Sequence, residues 1–213
     1  MAFIREALAL PAPPHLTLYV RNKSRLPSEY LSDPRIAVFQ GDLTDSVQVN
    51  KAMSGCTAVI SVVGDYPSLV AFFLRTKTTP IADTFPISIF PAMRANGIKR
   101  ILALSTPSFV VPGETYSWPW YLFLLMPIAL VPQGNAEMVA IAKNVATQTD
   151  FDWTVFRIPH LTEGPGDAEV VAGFLGPEFK GTGQLTRASQ ARWLLRELET
   201  GDWIGKAPFI ANV

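Results

Sequence analysis

Short apolar runs with the residue types of β-strands recur along the chain, and segments with the periodicity of helices separate them. The predicted strands are residues 15–21, 35–40, 57–63, 99–105, 152–157 and 208–211. The predicted helices are residues 3–10, 45–53, 81–95, 135–147 and 187–199. Strands that alternate with helices in this way indicate an α/β fold with a parallel sheet.

The residues that follow the first strand are the first candidates for function, because parallel sheets bind ligands outside the carboxyl ends of their strands. Arg21, Asn22 and Lys23 form a basic turn there, and no acidic residue lies between Arg21 and Glu29. In a dinucleotide-binding fold an acid at this point binds the ribose 2′-hydroxyl, whereas a base accommodates a 2′-phosphate. The turn therefore favours NADPH over NADH, and the alternative is a solvated basic turn without a ligand.

The other strands are followed by small and polar residues. Asp42 follows the second strand, where an aspartate can accept a hydrogen bond from an adenine amino group or can simply begin the next helix. Gly64 follows the third strand, and a glycine there lets the backbone approach a cofactor. Ser105 and Thr106 follow the fourth strand, and Pro159 follows the fifth. We expect all of these residues at one edge of the sheet.

In their order along the chain, these pieces resemble the atypical branch of the short-chain dehydrogenase/reductase superfamily, and in particular its NmrA-like NAD(P)-binding proteins. The resemblance spans nearly the whole chain and rests on the segments LYVRNKSRLP, GDLTD, AMRANGIKRILALST, DWTVFRIPHLTEGP and QLTRASQARWLLRELETGDWIGKAPFI. It implies a Rossmann-like, doubly wound parallel sheet in one domain over residues 1–213, with NADP(H) as the cofactor. Substrate-side elements would lie in residues 107–133 and 159–186.

The resemblance also implies a set of cofactor contacts. They are Arg21 and Lys23, with Asn22 between them, at the 2′-phosphate; Asp42 and Leu43 at the adenine; Val62, Val63, Gly64, Ser105 and Thr106 at the nicotinamide side; and Pro159, in the segment 159–165 that closes over the cofactor.

One departure from the family is the missing glycine-rich loop. The family opens with a strand, a glycine-rich turn and a helix whose N-terminus holds the pyrophosphate, whereas no glycine precedes Gly41 here. The absent strand would lie between the strands at 15–21 and 57–63, so two apolar edges would face each other across about 9–10 Å. The edges pair, or another segment or chain fills the slot, or the sequence is an N-terminally truncated form of a longer product. We expect the last, with cofactor binding weakened or lost if the loop is truly absent.

A second departure is the missing Tyr-x-x-x-Lys pair, which must lie on one helix face. The single match, Tyr19 with Lys23, falls on a predicted strand, where residues four apart are separated by about 13 Å. Alignment with the family places the pair at Ala129 and Gln133, neither of which can replace it. Two tyrosines between residues 116 and 121 lie nearby, but no catalytic residue is assigned, and His160 is expected to be a pocket or core histidine.

Composition narrows the classes of partner and location. Lys+Arg and Asp+Glu both number 18, so the net charge of zero argues against nucleic acid as the main partner. A single cysteine and two histidines argue against a disulfide and a metal site. The most apolar stretch, residues 118–132, has 15 residues and three prolines, fewer than the roughly 18 that a membrane span needs. With no signal peptide recognised, we expect a cytoplasmic protein.

These observations lead to one leading functional hypothesis and two alternatives. The leading hypothesis is an NADP(H)-binding protein of reductase type that transfers a hydride to or from a small apolar carbonyl, quinone or enone. One alternative is a non-catalytic, NAD(P)-sensing regulatory protein of NmrA type. The other is a truncated product that no longer binds a dinucleotide. Residues 118–132 form an apolar wall for a substrate, dock a partner or a membrane surface, or pack within the protein, and the oligomeric state stays open.

Overall fold

The computed structural model describes residues 1–64, 77–115, 118, 120 and 131–213. All six predicted strands are present, and three short strands that the sequence pattern did not predict occur between the fifth and the sixth. The strands are β1 (Leu16–Val20), β2 (Ile36–Gln40), β3 (Ala58–Ser61), β4 (Arg100–Ser105), β5 (Asp152–Arg157), β6 (His160–Thr162), β7 (Val170–Gly173), β8 (Gln184–Thr186) and β9 (Phe209–Asn212).

The five predicted helices are also present, one of them with an interruption. They and one short additional helix are α1 (Ala2–Leu8), α2 (Ser28–Ser32), α3 (Ser46–Met53), α4 (Pro80–Thr84), α5 (Phe90–Ala95), α6 (Pro132–Ala146) and α7 (Arg187–Thr200). A π-helical turn, Phe85–Ile89, joins α4 to α5. Pro86 and Pro91 lack the N–H that a regular helix requires, which accounts for the irregular turn. No helix in the described ranges is long and apolar enough to cross a membrane.

Within the described residues, the strands group into three sheets. The main sheet has the order β3-β4-β5-β9-β7, in which β3, β4, β5 and β9 run parallel and β7 runs antiparallel to β9. β1 pairs in parallel with β2 in a second sheet, and β6 pairs in parallel with β8 in a third. The mostly parallel arrangement confirms the predicted α/β fold.

Hydrophobic clusters cover both faces of the main sheet. On one face, Ile101 of β4 packs in a cluster with Phe85, Met93 and Ile141 from the helical segments α4 to α6. On the other, Leu102 joins a cluster that includes Leu194 of α7 and, at its margin, Phe3 of α1. Successive residues of β4 thus point to opposite helical layers, which is the doubly wound architecture.

β1 and β3 do not pair, although both end in the same region of the molecule. They belong to different sheets, so among the described residues each strand has a hydrogen-bonded neighbour on one side only. A groove of about 170 Å³ lies between them and is lined by Thr17 and Tyr19 of β1 and by Ala58–Ser61 of β3. The two facing edges expected from the sequence are therefore present, and they have not closed onto each other.

Candidate functional site

A cleft of about 300 Å³ lies at the carboxyl ends of β1, β2 and β3. Three segments that are far apart in the sequence meet there, and α4 forms the opposite wall. The predicted contacts that line the cleft are Arg21, Asp42, Leu43, Val62, Val63 and Gly64. The other lining residues are Tyr19, Gly41, Thr44, Pro80, Ile81 and Thr84.

The basic turn after β1 is fixed by a local hydrogen-bond network. Asn22 Oδ1 accepts from the backbone N–H of Ser24 at 2.9 Å and from its hydroxyl at 2.8 Å. The backbone N–H of Lys23 donates to Gln40 Oε1 at 3.0 Å, which ties the turn to the end of β2. Arg21 lines the cleft, whereas Asn22 and Lys23 lie in the exposed turn beside it.

Asp42 provides the negative charge in the cleft. Its Oδ1 accepts from the backbone N–H of Thr44 at 2.9 Å and from the Thr44 hydroxyl at 2.7 Å. These two hydrogen bonds, with a further contribution from the Arg21 charge, lower the pKa of Asp42 below its ordinary value. Asp45, and not Asp42, caps α3, because its side chain accepts from the Gln48 N–H at 3.0 Å. The Asp42 carboxylate is therefore ionised and is not the cap of the following helix.

Tyr19 supports the loop that carries Asp42. Its hydroxyl donates to the Asp42 carbonyl oxygen at 2.8 Å. Burial, together with the charges of Asp45 and Asp42, raises the pKa of the Tyr19 phenol, so the phenol stays protonated as this bond requires. A Cβ added at Gly41 would lie 2.3 Å from the Tyr19 hydroxyl. The sequence analysis considered Tyr19 only as a partner of Lys23. The sequence feature that could have indicated its role is Gly41, which immediately follows β2.

Glu137 of α6 fixes the wall opposite the basic turn. This fully buried carboxylate accepts from the Ile81 N–H at 3.0 Å and from the Ala82 N–H at 2.9 Å. It thereby satisfies the first free N–H groups of α4, which also provides Pro80 to the cleft. The sequence analysis missed this residue. The available signal was an acidic residue among the apolar positions of a helix.

Ser105 lies behind the cleft rather than in it. It is fully buried, and its hydroxyl donates to the Met138 carbonyl oxygen at 2.9 Å. A Cβ added at Gly64 would lie 3.3 Å from Met138 Cε. Met138 therefore contacts both predicted nicotinamide-side segments, which end near each other at the same edge.

Thr106 and Pro159 continue this edge away from the cleft. The Ile158 N–H donates to the Ser105 carbonyl oxygen at 3.2 Å, so the segment that begins at the buried Pro159 starts beside β4. The Thr106 hydroxyl is buried and has no hydrogen-bond partner within the described part of the chain. His160 is exposed on β6, so it is not a core histidine.

The region where the family carries its catalytic pair is only partly described. Ala129 and both tyrosines between residues 116 and 121 lie outside the described residues. Gln133 is buried and donates to the Thr78 carbonyl oxygen at 2.6 Å, so it anchors the segment before α4. Trp120 packs edge-on against Phe209, with ring centroids 5.4 Å apart. Within residues 118–132, the Trp120 side chain therefore contributes to packing inside the protein.

Comparison with known proteins adds a family and several related folds. The sequence model of the NAD(P)H-binding family matches residues 2–200. A short-chain dehydrogenase/reductase from Veillonella parvula, solved in complex with NADP, is 18% identical with a TM-score of 0.75, over 99% of this chain and 88% of that one. An oxidoreductase from Lactococcus lactis is 16% identical with a TM-score of 0.69, over 100% and 85%. A Rossmann-fold NAD(P)-binding family protein from Shigella flexneri is 19% identical with a TM-score of 0.64, over 99% and 86%.

Proposed function

The chain belongs to the NAD(P)H-binding family, and from this premise we propose that the cleft at the ends of β1, β2 and β3 binds NADP(H). The observation that carries the proposal is that Arg21 and the ionised Asp42 line one cavity. The family match supports a nicotinamide dinucleotide. The choice of NADP(H) rests on Arg21, since a guanidinium binds a phosphate through two parallel hydrogen bonds.

The adenosine side of the cofactor fits the residues present. Arg21 is exposed at the cleft and would hold the 2′-phosphate, with Lys23 close by in the same turn. Asp42 and Leu43 would hold the adenine, whose amino group is a donor that a carboxylate accepts. Val62, which the resemblance places at the nicotinamide side, is 58% exposed at the end of β3 and would offer that side an apolar surface. The cavity of about 300 Å³ is at the lower end of the usual range for ligand sites, about 300–1,000 Å³.

The pyrophosphate is assigned to no residue in this proposal. The cradle for it in dinucleotide-binding folds is a glycine-rich loop, and no glycine precedes Gly41 in this sequence. We therefore assign contacts only to the adenosine and nicotinamide sides of the cofactor.

The proposed reaction is hydride transfer to or from a small apolar carbonyl, quinone or enone. The cofactor supplies the hydride when bound. Val63 and Gly64 would border its nicotinamide side, and the segment that begins at Pro159 would cover it. The substrate would meet residues 107–133 and 159–186.

A second candidate is a regulatory protein that senses NAD(P)H without turnover. The specific observation in its favour is that two side chains at the expected reaction centre already bond to the backbone. Ser105 donates to Met138 and Gln133 donates to Thr78. The hydrogens that Ser105 and Gln133 donate are therefore not directed to a substrate in this arrangement. A site without a general acid typically loses about 10²–10⁴-fold in rate, which favours binding without turnover.

A fluorescence titration with NADPH tests the binding proposal. We expect saturable binding that is tighter for NADPH than for NADH. Arg21→Ala should weaken NADPH binding by about 10- to 100-fold, the value of one or two charge-assisted hydrogen bonds, and should leave NADH binding nearly unchanged. Arg25→Ala is the matched control, since Arg25 lies in the same turn but does not line the cleft.

The possible results separate the candidates. An absence of saturable binding at high micromolar NADPH would refute the proposal. The remaining hypothesis would then be a truncated product that no longer binds a dinucleotide. Equal effects of Arg21→Ala on both cofactors would refute the 2′-phosphate assignment. If binding holds, NADPH oxidation over a panel of quinones and ketones distinguishes a reductase, which turns over faster than the buffer blank, from the sensor.

A further inference from the structure

A hollow of about 200 Å³ lies between β7 and the C-terminal turns of α7. Its walls come from β7, from one face of α7 and from the loop that leads into the amino end of β9. In the main sheet, β4, β5 and β9 separate β7 from β3. The cleft described above lies at the carboxyl ends of β1, β2 and β3, so the hollow is a separate space at the opposite side of the main sheet.

Glu197 of α7 contributes a carboxylate to the inner wall of the hollow. The residue is only 2% exposed and lines the hollow. Its Oε1 accepts from Arg100 Nη2 at 2.6 Å, from the Thr154 hydroxyl at 3.1 Å and from the Trp203 N–H at 3.1 Å. No described residue donates to Oε2. The carboxylate is thus held firmly through one oxygen, and the other oxygen is left to accept from a molecule in the hollow.

Two tryptophans give the hollow aromatic walls. Trp193 packs against Phe156 of β5, with ring centroids 6.3 Å apart, and Trp203 packs edge-on against Phe174 at 5.9 Å. Both indole rings are therefore held in place by neighbouring rings. The face of an indole attracts a cation and also packs against apolar groups.

Full charges of both signs lie at the rim of the hollow. Arg196 and Asp202 line it and are exposed, and neither side chain has a hydrogen-bond or ion-pair partner among the described residues. Lys206, a further cation nearby, is already engaged, because its Nζ donates to the Asp202 carbonyl oxygen at 3.1 Å and lies 5.4 Å from the Trp203 ring centroid. Arg196 is thus the cation that is available to an anionic group, and Glu197 and Asp202 attract a cationic one.

Size and charge together select the class of molecule that suits the hollow. A volume of about 200 Å³ holds roughly seven water molecules at about 30 Å³ each, so the occupant is one small molecule. An apolar molecule would leave the second oxygen of Glu197 without a donor, and a simple anion would meet two carboxylates. A neutral polyol could donate to them, but hydrogen bonds between charged partners are about twice as strong as neutral ones. A small zwitterion makes a contact of each sign.

We propose that the hollow binds a free α-amino acid with an apolar side chain. The ammonium group of the amino acid donates to Glu197 Oε2, and its carboxylate accepts from Arg196. Its side chain packs against Trp193, Val170 and Ala172, which form the apolar part of the lining. This proposal does not depend on dinucleotide binding.

Titration of the full chain with L-leucine, followed by the ¹H–¹⁵N signals of the indole groups, tests the proposal. The sequence has five tryptophans, so five indole signals are expected, and single tryptophan-to-phenylalanine variants assign them. We expect the signals of Trp193 and Trp203 to shift with one saturable dissociation constant. The signal of Trp153, whose indole N–H donates to the Gln148 carbonyl oxygen at 3.1 Å, should not move.

Two analogues of leucine separate the two charged contacts. 4-Methylpentanoate has the same carbon skeleton without the ammonium group, and leucinamide keeps the ammonium group without the carboxylate. Each should bind about 10- to 100-fold more weakly than leucine, the value of one charge-assisted hydrogen bond. Because Glu197 also holds Arg100, its contact is tested by changing the ligand and not by substitution.

Arg196→Gln tests the carboxylate contact from the side of the protein. It should weaken leucine binding by about 10- to 100-fold and leave leucinamide binding nearly unchanged, because the amide has no carboxylate to lose. Arg192→Gln is the matched control and should bind both as the wild type does. Arg192 is an exposed arginine of the same helix, pairs with Glu6 at 2.7 Å and is not among the described residues that line the hollow.

Four results would overturn the proposal. The first is no shift of the Trp193 and Trp203 signals at tens of millimolar leucine. The second is equal affinity for leucine and both analogues, which would mean apolar packing alone. The third is an equal shift with the same concentration of glucose, which would indicate a polyol site. The fourth is an equal loss of leucine and leucinamide binding in Arg196→Gln, since Arg196 would then not contact the carboxylate.

Discussion

The buried ion pair between Arg157 and Glu114 offers a quantitative test of how this fold is held together. Both side chains are completely buried, and Arg157 Nη2 lies 2.5 Å from Glu114 Oε1. Arg157 Nε also donates to the Ala207 carbonyl oxygen at 2.8 Å, and Glu114 accepts from the Leu175 N–H at 2.7 Å. The pair thus connects β5, the loop after β4 and the chain that follows β7.

Arg157→Met is the informative change, because it keeps most of the volume and removes the cation. The Glu114 carboxylate then loses its ion pair with Arg157, and the breaking of a buried pair costs about 3–5 kcal/mol in unfolding free energy. For a domain of this size, such a loss corresponds to a decrease in Tm of about 6–20 °C. Arg157→Lys retains the charge but not the bidentate geometry and should lie between Arg157→Met and the wild type.

Urea unfolding followed by circular dichroism measures the effect. The matched control is Arg187→Met, which removes an exposed pair with Glu163 whose side chains are 45% and 86% accessible; that pair is worth about 0–1 kcal/mol. A loss of less than about 1 kcal/mol for Arg157→Met, or one no larger than for Arg187→Met, would show that the buried pair contributes no more than a surface pair.

Two further changes address the walls of the cleft. Gly41→Ala should displace the Tyr19 ring, because the new Cβ would lie 2.3 Å from its hydroxyl, and the displaced wall should weaken NADPH binding by about tenfold or more. Gly176→Ala is the control, because its Cβ would meet nothing closer than 3.7 Å and binding should not change. Equal NADPH titration curves for the wild type and both variants would contradict the prediction. Glu137→Gln replaces an acceptor of two backbone N–H groups with an amide that has one oxygen, so urea unfolding should show a decrease of about 1.5–3 kcal/mol in the free energy of unfolding. An unchanged unfolding midpoint would show that the carboxylate does not hold α4 in place.

The sequence predicted those parts of the fold that depend on local pattern. β4 and β5 were predicted with nearly correct bounds because each has six residues and lies in the buried centre of the sheet. β6 and β8 have three residues each, too few for a period to show. The π-helical turn between α4 and α5 was indicated only by Pro86 and Pro91, which do not specify how the helix continues.

The location of the candidate site could be predicted from the sequence, but its side-chain contacts could not. Because ligands bind at the carboxyl ends of parallel strands, Arg21, Asp42 and Gly64 were expected at one edge of the sheet from their positions after the strands alone. The contact of Glu137 with α4 joins positions 55 and 56 residues apart, so no local pattern reveals it. The orientation of Ser105 depends in the same way on Met138, 33 residues away.

Tyr19, Leu43 and Val63 border both the cleft and the groove. A molecule that shifts any of these side chains on one side therefore reshapes the other side as well. If a ligand of the groove changes the affinity of the cleft for its own ligand in this way, the ligand of the cleft changes the affinity of the groove by the same factor.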